Sequence, residues 1–168
     1  MRGLMAIKRV DNAVSTLFLC NRFSPSIAKL SRWVSRTGDG PMYAVLGAVA
    51  ALTDGLHGQS FLVAGLLAFA IQLPIYVTLK RSFRRARPSD LPSFITPSDL
   101  YSMPSGHTAA AFLMASLLSH FYPEWEPVYW CWAAMIGISR VLLGVHFATD
   151  ILAGMVLGLS CAGIILSL

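Results

Sequence analysis

Apolar stretches alternate with short polar loops along most of this chain, and five of them have the character of membrane helices: residues 42–56, 59–79, 107–122, 127–143 and 150–168. The second is the clearest. Its 21 residues rise about 31 Å at about 1.5 Å per residue, close to the roughly 30 Å of a hydrocarbon core. Pro74 predicts a kink within it. Asp54 shortens the first stretch, and Pro123 stands beyond the end of the third. Gly38-Asp39-Gly40-Pro41 reads as a turn, with Pro41 at the first helical position. For Asp39 a turn or cap is the commoner role of such a residue, with headgroup contact as the alternative.

Residues 10–36 follow a different pattern. Val14, Leu17, Phe18, Ile27, Leu30, Trp33 and Val34 are interleaved with Arg22, Lys29, Arg32 and Arg36. The longest apolar run there is too short to span a bilayer, so the segment predicts one or two amphipathic helices on the membrane surface. The N-terminus has neither a continuous apolar core nor a small-residue cleavage site and does not read as a secretory signal. The expected organisation is an amphipathic segment, 1–40, followed by a membrane-embedded domain, 41–168. The fold class is an all-α bundle with about five transmembrane helices. Gly154, Gly158 and Ala109 to Ala111 would let such helices approach closely, although small residues are also common in membrane helices generally.

Composition strengthens the membrane reading. Hydrophobic residues make up 55% and charged residues only 12% of the 168, against about 25% charged in soluble domains. The net charge is +5, which suits an anionic lipid surface or a phosphorylated substrate; the apolar composition argues against nucleic acid. Three cysteines have no metal-type spacing, and two lie in apolar runs where they are expected to be small buried hydrophobes. Trp33, Trp125, Trp130, Trp132, Tyr101, Tyr122 and Tyr129 include candidate interfacial anchors.

Three clusters of ionisable residues interrupt this apolar background. Lys80-x6-Arg87-Pro88 encloses Arg81, Arg84 and Arg85. Arg forks match phosphate oxygens bidentately and Lys supplies a point charge. Alone, such a cluster more often anchors a helix to headgroups. Pro104-Ser105-Gly106-His107 opens the third bundle helix. Its Gly permits close backbone approach, helix-start N–H groups bind anions, and His107 can exchange a proton near neutrality. Alone, Ser105 is more simply an N-cap. Ser139-Arg140-x5-His146-x3-Asp150 puts a carboxylate one helical turn beyond an imidazole. A carboxylate accepting from one ring nitrogen makes the other a better nucleophile. Counting crossings brings all three clusters to one side of the bilayer.

Together the clusters resemble the signature of the type-2 phosphatidic acid phosphatase superfamily, which is Lys-x6-Arg-Pro, Pro-Ser-Gly-His and Ser-Arg-x5-His-x3-Asp. All three parts are complete here, over residues 80–150. The resemblance implies that His146 attacks phosphorus to form a phosphohistidine, that Asp150 orients it, and that His107 protonates the leaving oxygen. Lys80, Arg87, Ser105, Gly106 and Arg140 would bind the phosphoryl oxygens. The implied partner is a phosphorylated membrane lipid: phosphatidic acid, phosphatidylglycerophosphate, or a polyprenyl phosphate or diphosphate. No metal and no cofactor are implied. The implied location is a bacterial cytoplasmic membrane. Many bacterial members have six membrane helices, whereas five are counted here. The alternatives are a non-catalytic lipid-phosphate-binding protein on the same fold, a vanadate haloperoxidase, which is soluble and larger, and a transporter, for which repeat halves are missing.

In this topology all 13 Lys and Arg residues lie on the side of the three clusters. The positive-inside rule then predicts a site facing the cytoplasm.

Overall fold

The computed structural model describes residues 2–20, 24–89, 91–97 and 99–168, with the side chains of residues 2–8 and of Ser24 excepted; Arg22, counted above in the amphipathic segment, lies outside the described residues. Among them the fold is all-helical, with α1 (Arg2–Leu19), α2 (Ser24–Arg36), α3 (Gly40–Thr53), α4 (Gly55–Phe83), α5 (Gly106–Phe121), α6 (Glu126–Leu142) and α7 (Ala148–Leu166). A single 3-10 turn, Pro123–Trp125, links α5 to α6. The N-terminal segment therefore forms two helices, and the first begins well before residue 10.

Helices α3 to α7 occupy the five predicted positions. Only α4 and α7, of 29 and 19 residues, are long and apolar enough to cross a membrane by themselves. Helix α3 is apolar but has 14 residues, because the chain turns at Asp54-Gly55, where Gly55 takes φ +52°. Helix α4 continues unbroken past Pro74. The helices alternate in direction. At one end the Tyr122 hydroxyl donates to Asp54 (3.1 Å), and His57 Nε2 lies 2.9 Å from the Phe121 carbonyl. The motif residues gather at the other end.

Helix α5 lies at the centre and packs most extensively against α7 and α6. The small residues flagged in the sequence explain why. A Cβ on Gly158 would stand 2.2 Å from the Ala109 carbonyl oxygen, and one on Gly154 would stand 2.6 Å from that of Ser105. Gly158→Ala is therefore expected to cost about 1–3 kcal/mol through overpacking, measurable as a lower melting temperature in detergent.

The surface is apolar where the bundle would meet lipid: Val45, Val49, Leu66, Leu73, Leu152 and Val156 are all exposed. Helices α1 and α2 have their polarity inside out. Asp11, Ser15, Ser31 and Ser35 face inward and are buried, while Val10, Leu17, Leu30 and Trp33 face outward. Such a polarity suits a lipid surface outside and polar partners within. Not every candidate anchor faces outward. The Trp132 indole donates to Thr37 (2.9 Å) and packs edge-on against Tyr43, which places it inside the bundle. Of the cysteines only Cys161 is buried; Cys20, just past the end of α1, and Cys131 on α6 are exposed.

Candidate active site

The site lies where α4 and α6 end and α3, α5 and α7 begin. Helix α4 stops at Arg84, a non-glycine residue in the left-handed region with φ 45°. The chain then folds back over the bundle end, and Ser102 N donates to the Arg85 carbonyl at 2.8 Å. This return brings Asp99 between the two cations of the first motif. Lys80 Nζ donates to Asp99 Oδ2 at 2.7 Å and to the Tyr76 hydroxyl at 2.5 Å. Arg87 Nη2 donates to Asp99 Oδ1 at 2.5 Å, and Nε to the Asp99 carbonyl at 2.9 Å. Burial alone would raise the Asp99 carboxyl, but the hydrogen bonds from Lys80 and Arg87 outweigh it and hold it below its ordinary value.

His146 sits in the turn between α6 and α7 and is 3% exposed. Gly144 shapes that turn at φ +73°, with its ideal Cβ position only 2.1 Å from the Pro92 carbonyl oxygen. Phe94 N donates to the Leu143 carbonyl at 3.0 Å, so the 92–94 segment braces the turn. His146 Nε2 lies 3.4 Å from Arg87 Nη1. Nδ1 faces Asp150 Oδ2 at 3.6 Å, beyond hydrogen-bond length, and is a buried nitrogen with no hydrogen-bond partner. A small rotation of the ring would close that gap. Asp150 itself is fixed: Oδ2 accepts from Phe147 N at 2.8 Å and Oδ1 from Arg85 Nη1 at 2.9 Å. Burial pushes the His146 imidazole down to about 4; Asp150 opposes the shift, and Arg87 and Arg140 add to it. The shift favours the neutral ring at physiological pH.

The Pro104-Ser105-Gly106-His107 segment enters beside these groups. Ser105 N donates to the Asp150 carbonyl at 3.0 Å, tying α5 to α7. The buried Ser105 hydroxyl caps α5, accepting from Thr108 N at 3.5 Å and from Thr108 Oγ1 at 2.9 Å. Gly106 lies against Tyr76, whose ring would be 3.0 Å from an added Cβ. His107 Nε2 is 2.8 Å from Asp39 Oδ1, and Arg140 and Lys80 are near enough to act on the ring electrostatically. Asp39 stands at the N-cap of α3 but makes no side-chain cap bond. Buried Arg140 donates from Nη1 to Ser35 of α2 at 2.6 Å, and its Nε has no partner.

All eight candidate residues thus lie at one end of the bundle; contacts link Lys80, Arg87, His146 and Asp150, while His107 pairs with Asp39 and Arg140 with Ser35. The residues that sequence reasoning did not assign to the site are Tyr76, Asp99, Arg85 and Asp11, together with Asp39 in its pairing with His107. Asp39 and Asp99 lie in loops rich in Gly, Pro or Ser. The one usable signal was the scarcity of acidic residues, since 8 in the whole chain makes each a candidate counter-ion. Among the described residues no three His, Cys, Asp or Glu side chains form a metal-type group.

The PAP2 superfamily model matches residues 61–168, which include every one of the motif residues. The chain belongs to the PAP2 superfamily. Its similarity extends beyond the matched region. Decaprenylphosphoryl-5-phosphoribose phosphatase of Mycobacterium tuberculosis is 33% identical over 150 residues, covering 84% of this chain and 80% of that protein. Phosphatidylglycerophosphatase B of Bacillus subtilis is 33% identical over 105 residues, 56% of this chain; the match spans only about half of that relative, 51%. Among solved structures, the transmembrane PAP2-type phosphatidylglycerolphosphate phosphatase of Bacillus subtilis superposes with a TM-score of 0.78 at 26% identity, over 96% of this chain and 85% of that one. These relatives are membrane lipid phosphatases. The PAP2 assignment accords with the family resemblance drawn from the motifs alone.

Proposed function

We propose that this PAP2 protein hydrolyses the phosphomonoester or diphosphate of a membrane lipid through a phosphohistidine on His146, without a metal ion. The observation that carries this reading is the His146 ring, with Nε2 beside Arg87 and Nδ1 toward a fixed Asp150. Phosphoryl transfer asks mainly for positioning and for neutralising charge on the equatorial oxygens. Lys80, Arg87 and Arg140 supply the charge, and the start of α5 supplies the Gly106 N–H and the Ser105 hydroxyl as donors. His146 Nε2 attacks phosphorus. His107, held by Asp39, gives its proton to the departing oxygen, and water then cleaves the phosphohistidine. Asp99 keeps Lys80 and Arg87 together before substrate arrives.

The lipid is a phosphatidic acid, a phosphatidylglycerophosphate or a polyprenyl phosphate. The polyprenyl class is favoured by the mycobacterial relative, whose match covers most of both chains. A panel of these lipids, offered to purified protein in EDTA with phosphate release as readout, tests the reading. Release that persists in EDTA supports it, and release that requires an added divalent cation contradicts it.

If His107 is the general acid, Asp39→Asn should lower kcat about tenfold, a fraction of the 10²–10⁴-fold typical of acid–base catalysis. KM should change little. The loss should shrink for a p-nitrophenyl ester, whose leaving group needs no proton. The acid limb of kcat/KM, corrected for the substrate's own ionisation, should fall near the His146 value of about 4 and not near the ordinary histidine range, because only the neutral ring attacks.

We infer five crossings, with α1 and α2 on the membrane surface; the site would then face the side bearing Lys and Arg, the cytoplasm by the positive-inside rule. A reporter fused after Leu168 should then be active only outside the cytoplasm; activity confined to the cytoplasm would overturn this orientation.

A further inference from the structure

Helix α1 carries one acidic residue, Asp11, and buries it completely. That is an odd place for a carboxylate on a surface helix, and its partners explain it. Asp11 Oδ1 accepts from Thr149 N at 3.1 Å. Oδ2 accepts from Thr149 Oγ1 and from Arg85 Nη2, both at 2.5 Å. The other arm of the same guanidinium, Arg85 Nη1, donates to Thr149 Oγ1 at 2.5 Å and to Asp150 Oδ1 at 2.9 Å. Arg85 lies over the Phe147 ring at 4.4 Å, and its carbonyl accepts from Ser102 N. It directly follows Arg84, the left-handed residue that ends α4.

The geometry points to Asp11 and Arg85 as positioning residues for the nucleophile: an alternating chain, Asp11–Arg85–Asp150–His146, through which helix α1 sets the orientation and effective charge of the carboxylate behind His146. This inference rests on His146 as nucleophile and deepens that reading. Arg85 occupies Oδ1 and the Phe147 amide occupies Oδ2, so the carboxylate cannot swing away from the ring. The charges also act along the chain. Arg85 draws on Asp150 and weakens its hold on the imidazole, while Asp11 neutralises Arg85 and restores that hold. The other charged groups acting on His146 are Arg87 and Arg140, and Lys80 acts on Asp150; none of them belongs to α1.

Opposite signs are therefore expected from the two ends of the clamp. In Asp11→Asn the unbalanced Arg85 acts fully on Asp150, and His146 titrates lower. In Arg85→Gln the freed Asp150 acts fully on the ring, and His146 titrates higher. Each shift should be about half a unit to one unit, below the 1–3 units of a direct ion pair because the charge acts through an intermediary. The double variant should return close to wild type.

The test is the ¹⁵N NMR titration of the His146 ring in micelles of the full chain, identified by its loss in His146→Gln. Kinetics on dioleoyl phosphatidic acid are run in parallel. Shifts of opposite sign that cancel in the double variant, with kcat falling and KM unchanged, support the inference. Shifts of the same sign, or no shift while activity falls only with melting temperature, overturn it and leave the clamp a packing device. Should Arg85→Gln fold poorly, Arg85→Lys keeps the charge and loses the fork. It should titrate like wild type yet lose kcat, and an undiminished kcat overturns the inference. If the wild type releases phosphate from no lipid of the panel, the phosphatase reading fails, while the titration still decides the clamp.

Discussion

His146→Ala is expected to lower phosphate release by about 10⁴-fold or more, since removal of a nucleophile leaves only binding and charge neutralisation to act. The size of the loss follows from the division of labour at the site. In the proposed mechanism Lys80, Arg87 and Arg140 bind and polarise the phosphoryl group without His146, yet none of them forms the covalent intermediate. Substrate affinity should therefore survive in the variant, and vanadate should still compete for the pocket. The variant should also fold, because the ring's Nδ1 has no hydrogen bond to lose and the turn is braced independently by Phe94 N on Leu143 O. A normal melting temperature with absent turnover is the expected pair of results. Loss of folding in His146→Ala would show that the ring is structural as well.

Gly144→Ala should also be damaging, by a smaller factor, although it touches no substrate. The residue takes φ +73°, and its Cβ would stand 2.1 Å from the Pro92 carbonyl oxygen. An L-residue is disfavoured there by about 1–2 kcal/mol even without a clash, and the backbone it meets cannot rotate away as a side chain could. Relief requires the 143–147 turn to move off the 92–94 segment, which carries His146 away from Arg87. A displacement of about 1 Å at a reacting atom costs on the order of 10²-fold. The expected outcome is a kcat loss of that order with a modest drop in melting temperature. A Gly144→Ala protein with full activity would show that the turn's position does not control the nucleophile.

The parts of this fold that were legible in the sequence are those with a local signal. Apolar runs marked α3 to α7 to within a few residues, because membrane helices must satisfy their own backbone and so read continuously. The three motifs stood out because ionisable side chains are costly in such a background. What stayed hidden depends on distant pairing. Asp99 meets Lys80 across 19 positions, Asp39 meets His107 across 68, and Asp11 meets Thr149 across 138, and no periodicity encodes such separations. Helices α1 and α2 were readable as amphipathic. Amphipathy alone leaves open which face a membrane protein turns inward, and here it is the polar one, carrying Asp11 to Arg85 and Ser35 to Arg140. Helix length was misread for α4, which runs 29 residues from Gly55 to Phe83 and so extends beyond both ends of the 59–79 stretch.

The central claim is covalent catalysis by His146. The most direct measurement is rapid quenching of the purified protein with a ³²P-labelled lipid phosphate in EDTA, followed by mapping of the label. A label that is acid-labile, stable to alkali, located on the peptide bearing His146 and missing from His146→Ala is the predicted result. Turnover with no protein-bound label at any quench time, or a label that persists in His146→Ala, would contradict it.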